Sequence, residues 1–149
     1  MSRWVLDASI ALSWLLADEA EASALAVRDS LSDAESIWVA AHWRLEICNS
    51  LWMAERRNRL NAAGVAEAVT LFSHLPVVID PETNERAGAE TLALARQHTL
   101  SVYDAAYLEL ALRRGASLAS LDAALRAVAR KLGVPLLPET WREPQVQTS

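Results

Sequence analysis

Five short apolar runs, RWVLD at 3–7, SIWVA at 36–40, VVID at 77–80, SLASL at 117–121 and VPLL at 134–137, are separated by longer segments with helical spacing of Leu, Ala and Val. Runs this short and this apolar bury both faces, and strands that alternate with helices pair in parallel. The pattern therefore predicts an α/β fold: a three-layer α/β/α sandwich with a central, mainly parallel sheet of about five short strands. Helices are expected over 9–16, 20–32, about 42–59, 62–73, 81–99, 103–115 and 122–133, with Gly115 as a C-cap. On the long helix, Leu45, Cys48, Trp52 and Arg56 step down one face, expected to be buried. There is no internal repeat or Pro/Gly-rich linker. At 149 residues the chain is read as a single domain, with a core over 3–137 and a tail over 138–149.

Composition narrows the function. No apolar run approaches the roughly 20 residues that span a bilayer. MSRWVLDASIALSWLL has the outline of a secretory leader, but Asp7 interrupts its apolar stretch, so the expected location is cytoplasmic. Cys48 is the only cysteine, which excludes an intramolecular disulfide; burial as a small hydrophobe is favoured over a thiol nucleophile. His42, His74 and His98 are too scattered for a zinc site and read as surface or helix-end residues. The formal charge of −5 argues against binding nucleic acid by broad electrostatic attraction. It leaves room for a local acidic centre whose sign is reversed by a bound cation.

Four acids stand where such a centre forms. Asp7 ends the first strand, Asp122 follows the fourth, Glu46 lies in the first turn of the long helix and Asp104 opens a later one. In a parallel sheet these positions share the carboxyl edge, where ligands bind. Converging carboxylates repel one another, and a hard divalent cation with oxygen ligands, Mg²⁺ or Mn²⁺, resolves the conflict. Phosphodiester hydrolysis is the chemistry this set serves best. The competing reading makes Asp7 and Asp122 ordinary helix caps and Glu46 a solvated side chain.

VLDASIALSWLL around Asp7, RLEICNSLWMA around Glu46, VYDAAYLELALRRG around Asp104 and LASLDAALRAVARKLGVPLL around Asp122 together resemble the PIN-domain proteins, and more narrowly VapC-type toxins of toxin–antitoxin pairs. The resemblance covers 3–137 and implies an Mg²⁺- or Mn²⁺-dependent endoribonuclease with Asp7, Glu46, Asp104 and Asp122 as catalytic, metal-holding residues. It implies supporting roles for Ser9 and Ser120; Asn49, one helical turn beyond Glu46, is a third supporting residue. It also implies a homodimer and a cognate antitoxin, received by apolar grooves over 9–32. Many relatives have a basic residue where this chain has Ser13, which leaves RNA contacts near the site open. The six tryptophans default to core, with some serving an interface, and Arg56, Arg57 and Arg59 are a helix end or a phosphate contact. The alternatives are an RNA-processing nuclease without an antitoxin, and a Mg²⁺-binding phospho-acceptor domain. The latter requires paired acids early in the chain and a late-strand lysine, whereas the only lysine, Lys131, falls on a helix.

Overall fold

The computed structural model describes residues 2–141. Strands β1 (Arg3–Leu6), β2 (Ser36–Val39), β3 (Val78–Ile79), β4 (Ser117–Ala119) and β5 (Leu136–Leu137) form one sheet in the order β3-β2-β1-β4-β5. Every pairing is parallel. Between β1 and β3 run α1 (Ala8–Leu15), α2 (Ala22–Asp29), α3 (Trp43–Arg56) and α4 (Ala62–Ser73). α5 (Thr83–Arg86), a π-helical turn (Ala87–Thr91), α6 (Leu92–His98) and α7 (Val102–Arg114) lead back to β4, and α8 (Ala123–Lys131) connects β4 to β5.

The sheet grows from β1 outward in both directions. Right-handed crossovers put the helices of the two directions on opposite faces. Accordingly α1 packs with α2, α3 and α4, while α7 packs with α6 and α8. The three-layer α/β/α sandwich expected from the sequence is the observed architecture. The strand order reverses between β1 and β4, and the crevice outside their carboxyl ends is where such sheets bind ligands.

The central runs become strands because both their faces are covered: Val5, Leu6, Val39, Leu118 and Ala119 are fully buried, whereas edge strand β3 leaves Val78 and Ile79 exposed. Each strand is shorter than its run, and VVID pairs only at Val78 and Ile79. The segment read as one helix over 81–99 is broken by the π-helical turn at Ala87–Thr91. Gly115 ends α7 in the left-handed conformation at φ 59°, as a C-cap glycine should.

The burial of α3 departs from expectation. Its core face is Trp43, Ile47, Leu51 and Ala54. Leu45 is 75% exposed, Trp52 52% exposed, and Cys48 and Arg56 also face solvent. Apolar residues occupy both sides of this helix, so two stripes fit the same period, and packing against α1 and α4 selects the one led by Trp43. Cys48 is therefore an exposed thiol and not a buried hydrophobe. Of the tryptophans, Trp4 and Trp43 are core, while Trp14 and Trp38 are partly buried. Among the described residues, no helix is long and apolar enough to cross a membrane.

Candidate active site

At the switch point, the end of β1 is locked to the end of β4 through two serines. The Ser9 hydroxyl accepts the Leu121 N–H (2.8 Å) and donates to Asp7 Oδ1 (2.7 Å). The Ser120 hydroxyl accepts the Asp122 N–H (3.0 Å) and donates to Asp7 Oδ2. Each serine accepts from a backbone N–H with one lone pair and gives its one proton to Asp7. The Ile10 N–H adds a third bond to Asp7 Oδ1 (3.1 Å), and the indole N–H of Trp43 holds the Asp7 carbonyl (3.1 Å). Asp7 is thus both the N-cap of α1 and a buried carboxyl at the end of β1, so its capping role does not remove it from the sheet's carboxyl edge. Asp122 is also a cap, though only partly buried: its Oδ1 caps α8 through the Leu125 N–H (2.8 Å).

Asp104 has a different status. α7 is capped by Ser101, whose hydroxyl accepts the Asp104 N–H (3.0 Å), leaving the Asp104 carboxylate free of capping duty. Burial raises its pKa, and the charges of Asp122 and Glu46 raise it further. Asp7 is pushed from the ordinary 3.8 to about 7, mainly by burial, with Asp104 adding repulsion against the hydrogen bonds from Ser120, Ser9 and Ile10.

Glu46 is pinned from two sides. The Tyr107 hydroxyl donates to its Oε1 (2.6 Å), and His42 Nε2 lies 3.1 Å from the same oxygen. Burial works to raise the Glu46 carboxyl, but the bonds from His42 and Tyr107 outweigh it and hold the group low. His42 Nε2 is also 3.1 Å from the Tyr103 carbonyl, so this nitrogen faces two acceptors and carries the ring proton. Tyr107, fully buried, has its own pKa raised by burial and by Glu46. Neither His42 nor Tyr107 is marked in the sequence; the one hint is that Tyr107 falls one turn after Asp104.

The fold therefore brings Asp7, Glu46, Asp104 and Asp122 to one edge, near enough for their charges to interact. As placed, among the described residues no three His, Cys, Asp or Glu side chains stand close enough to share one metal ion. Three of the four acids are drawn toward their own anchors, Asp7 to the serines, Asp122 to α8 and Glu46 to His42 and Tyr107. The donor chemistry, oxygen only and anionic, fits a hard divalent cation. Asn49 is exposed on α3 and makes no side-chain hydrogen bond among the described residues. Ser13 is buried and donates to the Ile10 carbonyl (2.6 Å), so the position that is basic in many relatives points here into α1. Arg59 forms a forked pair with Asp18 (2.9 Å to each oxygen) and also meets Glu19, so it is not held out toward a phosphate.

In metal-free protein the raised Asp7 carboxyl has a signed consequence. A folded-state pKa of about 7 against 3.8 contributes stability that is complete below about pH 4 and is lost as pH rises through 7. The difference in melting temperature between wild type and Asp7→Asn should shift across that window against the wild type. A pH-independent difference would mean that Asp7 is ordinarily solvated.

The PIN domain family model matches residues 4–131. No curated protein matches the chain. Among solved structures, PAE2754 from Pyrobaculum aerophilum is similar at 24% identity and a TM-score of 0.63, covering 85% of this chain and 78% of that one. VapBC2 from Rickettsia felis, solved with a DNA fragment from its promoter, is similar at 13% identity and a TM-score of 0.63, covering 90% and 96%. VapC20 of Mycobacterium tuberculosis, described as a sarcin–ricin loop cleaving toxin, is similar at 18% identity and a TM-score of 0.58, covering 84% and 94%. With the match spanning strands β1 to β4 and all four acids, this chain belongs to the PIN-domain family.

Proposed function

We propose that the protein is a metal-dependent endoribonuclease, with Asp7, Glu46, Asp104 and Asp122 holding Mg²⁺ or Mn²⁺, and that it acts as the toxin of a VapBC-type pair. The observation that carries the reading is the set of acids at the sheet's switch point, with Asp7 raised by burial and by Asp104, and Asp104 raised by burial, Asp122 and Glu46. Such mutual repulsion is relieved by a cation. A bound divalent ion supplies Lewis-acid polarisation of a phosphate oxygen and a water acidic enough to attack phosphorus. The protein's part is to orient the donors. Ser9 and Ser120 fix the Asp7 carboxylate, Tyr107 and His42 fix Glu46 by one oxygen, and Trp43 holds the backbone at the end of β1.

RNA cleavage should require Mg²⁺ or Mn²⁺ and stop in excess chelator. Ca²⁺, with its looser geometry, should bind and support little cutting. Robust cleavage in EDTA would overturn the metal-dependent reading. Sequencing RNA ends after brief expression of wild type and Asp7→Asn identifies the target.

The toxin role is supported by the similarity to VapBC2 and VapC20. A partner that inserts an Arg among the carboxylates would satisfy two oxygens at once and displace the cation. One apolar surface that could serve a homodimer is the exposed Leu45–Trp52 stripe of α3, since α1 is largely buried. A strict monomer in light scattering, with cleavage unaffected by the product of the adjacent reading frame, would remove the toxin role and leave the nuclease.

A further inference from the structure

Tyr103 stands immediately before Asp104 in the first turn of α7 and is 64% exposed. A large aromatic ring in water has no folding benefit. It is nevertheless firmly supported. The His42 ring lies 5.6 Å from it, tilted by 57°, and on to the Tyr107 ring is a further 4.9 Å. The three rings form a column from solvent to core, ending in a fully buried tyrosine. His42 Nε2 also bonds the Tyr103 carbonyl and Glu46, so the first turn of α7 is tied to α3 at this point.

We propose that Tyr103 is a platform on which a base of single-stranded RNA stacks beside the phosphate to be cut, with His42 as its fixed backing; this rests on the nuclease reading. The His42 ring that backs Tyr103 at 5.6 Å also lies 3.1 Å from Glu46 Oε1, so a base on Tyr103 belongs to a nucleotide at or next to the carboxylates. The chain carries a net charge of −5 and gathers four acids at this edge, so phosphate attraction is a poor source of affinity. Stacking is indifferent to that charge, and every base offers a face for it. An unstacked base is available in RNA loops and single strands and not inside a duplex, which makes Tyr103 a selector for such substrates.

The test is binding of a short single-stranded RNA carrying one fluorescent adenine analogue, measured in chelator so that nothing is cut, with cleavage of the same RNA followed separately in Mg²⁺. Tyr103→Ala should weaken binding roughly five- to a hundredfold, the range for loss of one base–aromatic stack. Tyr103→Phe should bind like wild type. The loss in Tyr103→Ala should be the same at low and high salt, whereas loss of a phosphate contact shrinks as salt rises. Light scattering should give all three proteins the same mass. Wild-type binding by Tyr103→Ala, equal loss in Tyr103→Phe, or a changed mass in Tyr103→Ala, which marks a surface covered by a second copy, would each overturn the platform. Wild type that cleaves with no effect of Tyr103 overturns the platform alone; wild type that neither binds nor cleaves overturns the nuclease reading with it.

Discussion

Asp104→Asn is expected to lower RNA cleavage by more than about a hundredfold, taking the cost of disturbing a metal's outer partners as the floor for losing a ligand, while leaving the melting temperature unchanged or higher. The two effects share a cause. Asp104 is placed against Asp122 and Glu46, and both push its carboxyl up. It caps nothing, because Ser101 performs that role for α7. Asn keeps the shape and an oxygen that can still accept from Ser101, and it removes the repelling charge, so the metal-free fold gains more relief than it loses. The same charge is what a cation would need. Undiminished cleavage by a folded variant would remove Asp104 from the site. A marked fall in melting temperature would mean that its carboxylate is a structural partner.

The second large effect lies away from the acids at the switch point. Arg113, in the last turn of α7, donates to Asp80 (2.6 and 3.1 Å), Glu82 (3.0 Å) and Glu109 (2.8 and 3.1 Å). The Asp80 side chain is completely buried. Arg113→Met would strand that carboxylate beside Glu109, with Thr83, the Glu82 backbone N–H and the more distant Arg114 left as partners. Breaking a buried pair from one side costs about 3–5 kcal/mol, a fall of roughly 6–20 °C in melting temperature for a chain of this size. Replacing both Asp80 by Asn and Arg113 by Met should recover the part of the loss that comes from Asp80, because only the buried Glu109 then lacks its close cation, with Arg86 left at 3.7 Å. Arg59→Met is the contrast: its partners Asp18 and Glu19 are exposed, and the melting temperature should barely move. An Arg113→Met protein as stable as wild type would show that water reaches Asp80.

Local chemistry explains which features could be read from the chain alone. The carboxyl-edge positions of Asp7 and Asp122 follow from apolar runs ending in acids, and those runs are strands. The Gly115 cap and the start of α4 at residue 62, capped by Asn61, are equally local. The α3 face was ambiguous because Leu45, Cys48 and Trp52 repeat with the same period as Trp43, Ile47 and Leu51; only the neighbours of the helix decide between them. The His42–Glu46–Tyr107 anchor and the Asp80–Arg113 cluster join residues 61 and 33 positions apart, and neither distance leaves a periodic trace. The π-helical turn has no composition that separates AGAET from ordinary helix.

The place of β1 at the centre of the sheet sets the order in which the protein can become competent. The first strand to leave the ribosome has both its neighbours downstream, β2 at Ser36–Val39 and β4 at Ser117–Ala119. Asp7 is exposed to water in any nascent chain that lacks Ser120, and its companions at 104 and 122 are added late in synthesis. Half-made copies consequently have no assembled centre, and competence arrives in one late step when β4 docks. Under the nuclease reading proposed above, a chain built this way has no cutting centre while it is still being translated.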